Sequence, residues 1–155
     1  MTPDAPSCHP VDAFLARHVP LSRAMAVRFL YFDQRGLALT APLAPNCNDK
    51  GTAFGGSLAA IASLAAWATC YMVLREAGET EAEIVVAHSE LDYLRPVGTA
   101  ITALCLRPDP GAEAAFVAAY QNQGRARWTL MVQVPDGGDD AVALRFRGHY
   151  AARRP

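Results

Sequence analysis

Strand-like and helix-like patterns of apolar residues succeed one another along this chain. Arg23 to Phe32 and Leu37 to Leu43 read as strands, and Asp33-Gln34-Arg35-Gly36 between them has turn chemistry, so the pair predicts a hairpin. A loop of turn-formers follows, Ala44-Pro45-Asn46-Cys47-Asn48-Asp49-Lys50-Gly51. From Gly55 to Glu76 the pattern becomes that of one long helix, with Gly78 placed to terminate it. Ile84 to Leu94 returns to strand and ends at Arg95-Pro96. Thr99 to Leu106 is the next strand, stopped by Pro108 and Pro110. Phe116 and Tyr120 have i,i+4 spacing, which predicts a short helix over Glu113 to Gln121 ended at Gly124. Two alternating strands close the chain. In the first, Trp128, Leu130, Val132 and Val134 share one face, with Arg127, Thr129 and Gln133 on the other; in the second, Val142, Leu144 and Phe146 oppose Arg145, Arg147 and His149. Pro135-Asp136-Gly137-Gly138 is their turn. Ahead of everything, Pro10 opens a short helix with Val11, Phe14 and Leu15 on one side, and Pro20 stops it.

Two strands, one long apolar helix, then four strands predict an α+β domain. An antiparallel sheet of about six strands must bury the helix at 55–76. Ala59, Ala60, Ala62, Ala65, Ala66 and Ala68 allow a curved sheet to come close, and Leu58, Ile61, Leu64, Trp67, Tyr71 and Met72 anchor it. The expected organisation is a single domain over 1–155, with a short helical segment in 1–20.

Gly55 to Leu74 carries no charge and meets the length rule for a membrane span. Its alanines, with Ser57, Ser63 and Thr69, insert weakly into a bilayer, so a helix buried within the domain is expected instead. The chain has 155 residues, 52% of them hydrophobic, enough for one core. A net charge of -1 gives no support for a nucleic-acid or membrane-surface partner. Arg125, Arg127, Arg145, Arg147, Arg153 and Arg154 gather late in the chain, either as a solvated sheet face or as a docking patch for a phosphate-bearing carrier. Cys8, Cys47, Cys70 and Cys105 lack ligand spacing and read as free thiols, with no metal site expected. The first 20 residues have no basic and apolar signal regions. A cytoplasmic location is expected.

The stretch Asn46-Cys47-Asn48-Asp49-Lys50-Gly51-Thr52-Ala53-Phe54-Gly55-Gly56-Ser57-Leu58 resembles the hotdog thioesterase superfamily, in which an asparagine, a glycine and then His-Gly-Gly precede the central helix. Ser89-Glu90-Leu91-Asp92-Tyr93-Leu94-Arg95-Pro96-Val97 looks like the strand that follows it there, and GTAFGGSLAAIASLAAW is similar to one branch, the YiiD C-terminal type. The resemblance runs over nearly the whole chain from about Pro20. It implies a hotdog fold and an acyl thioester as substrate. Coenzyme A or an acyl carrier would be part of that substrate, and no separate cofactor is implied. It also implies a homodimer, or a tetramer, with the acyl site between subunits.

Gly55 and Gly56 open the helix, where unpaired N–H groups and the positive dipole end could hold a carbonyl oxygen as it becomes negative. Close helix–sheet packing is the other reading of the two glycines. Phe54, Gly55, Gly56, Ser57, Asn48 and Ser89 are the candidate substrate contacts; Asn48 could equally shape the loop as an Asx-turn. Two departures from the superfamily stand out: Phe54 occupies the histidine position, and Ser63 stands near the usual helix carboxylate. No acidic residue occurs in the helix before Glu76, so a general base must come from Asp49, His88 or Glu90, with Ser63 orienting water. His88 and Glu90 share one strand face and Ser89 lies on the other with Leu91 and Tyr93. Hydrolysis of an acyl thioester is the leading expectation. A histidine–carboxylate dehydratase or hydratase and a non-catalytic acyl-binding module are the alternatives.

Overall fold

The structure, a computed structural model, describes residues 8–139 and 141–155. Residues 1–7, part of the expected N-terminal helical segment, lie outside the described residues. The remainder contains α1 (Pro10–His18), α2 (Pro20–Ala24), β1 (Arg28–Asp33), β2 (Gly36–Ala41), α3 (Gly55–Glu76), β3 (Glu83–Tyr93), β4 (Ile101–Leu106), α4 (Pro110–Gln123), β5 (Arg125–Pro135) and β6 (Val142–Arg153). The six strands form one sheet in the order β1-β2-β4-β5-β6-β3, every pair antiparallel. This is the expected α+β architecture.

Helix α3 has the expected bounds, and it packs against β2, β3, β4, β5 and β6. Leu58, Ile61, Leu74 and the alanines 62, 65, 66 and 68 are buried. Each large apolar side chain removed from water in this way contributes roughly 1.5–3 kcal/mol. Its end is a Schellman cap. Gly78 has φ +87°, its N–H donates to the Arg75 carbonyl, and the Glu79 N–H donates to the Leu74 carbonyl.

Three boundaries differ from the sequence reading. Arg23 to Phe32 is not one strand: Pro20 opens α2, the Ser22 hydroxyl donates to the Val19 carbonyl, and Ala26 turns the chain at φ +56° before β1 begins at Arg28. Pro20 therefore starts a helix rather than only ending one. The fourth strand starts at Ile101, not Thr99. The late helix starts at Pro110, where Asp109 caps it by accepting from the Gly111 and Ala112 N–H groups. Gly124 ends it at φ +70°, as expected.

Strand β4 pairs with β5 only through Leu104↔Gln133 and Cys105↔Val132. Helix α4 packs on β5, and its Phe116 ring stacks on Trp128 with centroids 4.6 Å apart. At the opposite edge lies β3, 11 residues long and exposed over most of its length.

On β6, Gly148 leaves room for its neighbours. A Cβ there would come 2.6 Å from the Tyr150 ring and 2.7 Å from the Phe146 ring, both buried. Gly148→Ala should therefore cost about 1–3 kcal/mol in urea unfolding, because packed rings must shift. A variant as stable as the parent would show that the rings have room to move.

Candidate functional site

The loop before α3 is organised by its own asparagines. Asn48 Oδ1 accepts from the Lys50 N–H (2.9 Å) and the Thr52 N–H (3.2 Å), while its Nδ2 donates to Thr52 Oγ1 (2.9 Å). Of the two readings of Asn48, the loop-shaping one is visible in these bonds. Asn46 is buried; its Nδ2 donates to the Met25 and Pro42 carbonyls, and its own carbonyl accepts from the Phe54 N–H at 2.7 Å. The same residue thus ties the α2–β1 connection, the end of β2 and the start of α3 together.

At that start, Phe54 is the N-cap and supplies no capping side chain. The first bond into the helix runs from the Leu58 N–H to the Phe54 carbonyl, and the N–H groups of Gly55, Gly56 and Ser57 have no acceptor among the described residues. Three unspent donors at the positive end of a 22-residue helix can hold developing negative charge. Two aromatic rings flank them. Phe54 lies over Gly56, where a Cβ would overlap the ring. Tyr93 lies over Gly55, 3.4 Å from a Cβ built there, and its hydroxyl donates to the Gly55 carbonyl at 3.2 Å. Each ring is 56% exposed.

Tyr93 also reveals which face of β3 meets the helix. It shares that face with Leu91 and Ser89, as the alternation predicted, and Ser89 stands opposite Gly148. His88 and Glu90 lie on the other side. There His88 Nε2 and Glu90 Oε1 are 3.3 Å apart, the His88 and His149 rings are 5.5 Å apart, and His149 Nδ1 bonds Thr129 Oγ1 at 2.7 Å. Within one chain the structure therefore gathers Phe54, Gly55, Gly56, Ser57 and Tyr93. It does not bring His88 or Glu90 to them. Asp49 projects into solvent at the loop tip, 3.1 Å from Lys50 Nζ.

Ser63 lies two turns along α3. The Tyr150 hydroxyl donates to the Ser63 carbonyl at 2.7 Å and lies 3.3 Å from Ser63 Oγ. Burial pushes the Tyr150 phenol up, so it stays neutral. Tyr93 and Asn46 were not singled out from the sequence as site residues. The signal for Tyr93 was its place beside Leu91 on the apolar face of the strand; for Asn46 it was the capacity of an asparagine in this loop, like Asn48, to shape it as an Asx-turn.

A family model described as "Putative thioesterase (yiiD_Cterm)" matches residues 8–154. The chain belongs to this family. Among solved structures, a protein of unknown function from Chlorobaculum tepidum TLS is 32% identical, with a TM-score of 0.87 over 94% of this chain and 93% of that one. A protein described as a putative thioesterase from Shewanella oneidensis is 27% identical, with a TM-score of 0.80 over 94% and 95%. A third, PA5026 from Pseudomonas aeruginosa, described as a probable thioesterase, shares the fold at 18% identity and a TM-score of 0.69, over 92% and 93%. This member of the YiiD C-terminal family is a thioesterase-like hotdog protein.

The Phe54 ring explains the second glycine in energetic terms. Gly56→Ala should gain almost nothing in the parent, because the methyl must displace Phe54. In a Phe54→Ala background the same change should stabilise by about 0.5–1 kcal/mol, the usual helix gain over glycine. Equal effects in both backgrounds, measured by urea unfolding, would remove the ring contact as the reason for the glycine.

Proposed function

We propose that the chain hydrolyses acyl thioesters, with the thioester carbonyl held by the N–H groups of Gly55, Gly56 and Ser57. The observation that carries this reading is the open first turn of α3, flanked by two half-exposed aromatic rings, in a member of a thioesterase family. As the tetrahedral intermediate forms, its oxygen gains negative charge, and preorganised N–H donors are worth most at that moment. Phe54 and Tyr93 would screen that oxygen from water. Asn48 would act on substrate by keeping the loop closed.

The proposed base is Asp49, five residues before Phe54 on the loop that leads directly into the helix. Ser63 lies on α3 itself, with its hydroxyl beside Tyr150. His88 and Glu90 face away from the helix and could serve a site only across a subunit contact. Such a contact is part of the proposal. Strand β3 is a long, exposed edge carrying Val85 and Val86, and pairing it with a second copy about a two-fold axis would cover both edges. One observation favours a second reading, an acyl-thioester-binding module without turnover: the first turn of α3 holds no acidic residue, and among the described residues no carboxylate bonds to its free N–H groups.

Hydrolysis is tested by following thiol release from a panel of acyl-CoA thioesters. Gly56→Val should abolish turnover with little loss of melting temperature, and Asp49→Asn should lower kcat on the order of 10²-fold or more. His88→Gln, Glu90→Gln and Ser63→Ala should stay within a few-fold. If Asp49→Asn retains full turnover while His88→Gln or Glu90→Gln loses it, the base comes from the other face of β3. Binding without thiol release in the parent would establish the second reading. Light scattering at micromolar concentration should give a dimer, and a strict monomer would sink the paired-strand arrangement.

A further inference from the structure

The sheet face away from α3 brings together two histidines from distant parts of the chain. Tyr150 reaches α3 through Ser63, so its neighbour His149 points the opposite way. There His149 of β6 stands directly opposite His88 of β3 in the antiparallel register. The ring centroids are 5.5 Å apart and the planes are tilted by 32°. Alternation places His88 with Glu90, and His149 with Arg145 and Arg147, but only the register pairs the two rings. The face is open: the His88 side chain is 58% exposed, and a hollow of ≈ 520 Å³ adjoins His149 and Thr129.

Each ring already has one nitrogen engaged. His149 Nδ1 lies 2.7 Å from Thr129 Oγ1 on β5. His88 Nε2 lies 3.3 Å from Glu90 Oε1, two residues along β3. Glu90 faces Arg147 across the strands, yet its ion pair is with His88. With Nδ1–H donating to Thr129 and Nε2–H donating to Glu90, one lone pair stays free on each ring, at His149 Nε2 and His88 Nδ1. A metal-ligating histidine has this arrangement, its second N–H given to a carboxylate or another acceptor. The spacing suits a shared ion. Opposed residues in an antiparallel pair have Cβ atoms roughly 4.5–5.5 Å apart. Metal–imidazole bonds of about 2.0–2.1 Å bring two ligating nitrogens within roughly 4 Å of each other. Two rings on opposed residues can therefore meet one ion without moving the backbone.

We propose that His88 and His149 chelate a divalent late transition-metal ion, which clamps the edge strand β3 to β6. Imidazole suits nickel, copper or zinc, whereas magnesium and calcium prefer oxygen ligands. Among the described residues no group of three or more His, Cys, Asp or Glu side chains is placed to ligate an ion. The protein therefore supplies two nitrogens, and water fills the remaining positions. Edge pairing of β3 with a second copy would leave this face open, and the site does not depend on the thioesterase reading.

Calorimetric titration of the full chain with Ni²⁺ tests the chelate, once the exposed thiols of Cys8 and Cys47 are blocked with iodoacetamide. One ion should bind per chain, and Mg²⁺ should not compete. His88→Gln and His149→Gln should each abolish saturable binding. Thr129→Val should weaken it about tenfold, because His149 loses the acceptor that orients its ring. His18→Gln, at the exposed end of α1, should leave it intact. Because the ion joins two strands, excess Ni²⁺ should raise the melting temperature of the parent and of His18→Gln, and of neither chelate variant. Diethyl pyrocarbonate labelling of the parent gives a reading that needs no substitution: Ni²⁺ should protect His88 and His149 and leave His18 reactive. The proposal is overturned by a parent that takes up no Ni²⁺, by affinity that stays within about twofold in either chelate variant, or by labelling that the ion leaves unchanged. Competition by Mg²⁺ would assign the binding to surface carboxylates and overturn it as well.

Discussion

A 22-residue helix without a charged face has to be hidden, and the rest of the fold follows from hiding it. Five of the six strands touch α3, and only β1, the outer strand of the first hairpin, makes no substantial contact with it. The approach is possible because the sheet meets alanines at 62, 65, 66 and 68 and never a large side chain at those positions. The same demand appears from the sheet side at Gly148, where a missing side chain lets the Tyr150 and Phe146 rings fit. Tyr150 then reaches across to the Ser63 carbonyl, so this polar bridge between β6 and the middle of the helix depends on a glycine two residues away.

Burial of the helix along its length leaves its start as the chemically open part. The residues ahead of it are committed to holding that start in place. Asn46 binds three neighbouring segments, Asn48 closes the loop on Thr52, and the Ala53 N–H is tied to the Val97 carbonyl. The first-turn donors are therefore presented from a rigid frame, and rigidity is what makes fixed donors effective toward a charge that appears only transiently.

Much of the fold could be read from the chain because its signals were redundant. Charge-free length marked α3, Gly78 marked its end, and strict alternation marked β5 and β6. Misreadings fell where a proline has two meanings. Pro20 and Pro110 can stop one element or open the next, and only the Asp109 cap and the Ser22 bond show that both open helices. Candidate residues were harder to place for a related reason. The sequence correctly put His88 and Glu90 on one face and Ser89 on the other, but nothing local says which face meets the helix. An edge strand exposed on both sides lacks the burial contrast that settled β5.

The irregularity between Val86 and His88 is the reason that alternation could not be extended along β3. Ile84 and Val86 share a face with the buried Ala152 and Tyr150, and plain alternation would carry His88, Glu90 and Asp92 onto that face as well. Ala87 instead acts like an inserted letter that shifts the reading frame. Upstream, even-numbered residues face the helix; downstream, odd-numbered ones do. A relative lacking a residue at this point would present the same two faces, whereas one lacking a residue a few positions later would turn its histidine and carboxylates toward the helix. Alignments of such proteins thus carry a chemical meaning in the placement of a single gap.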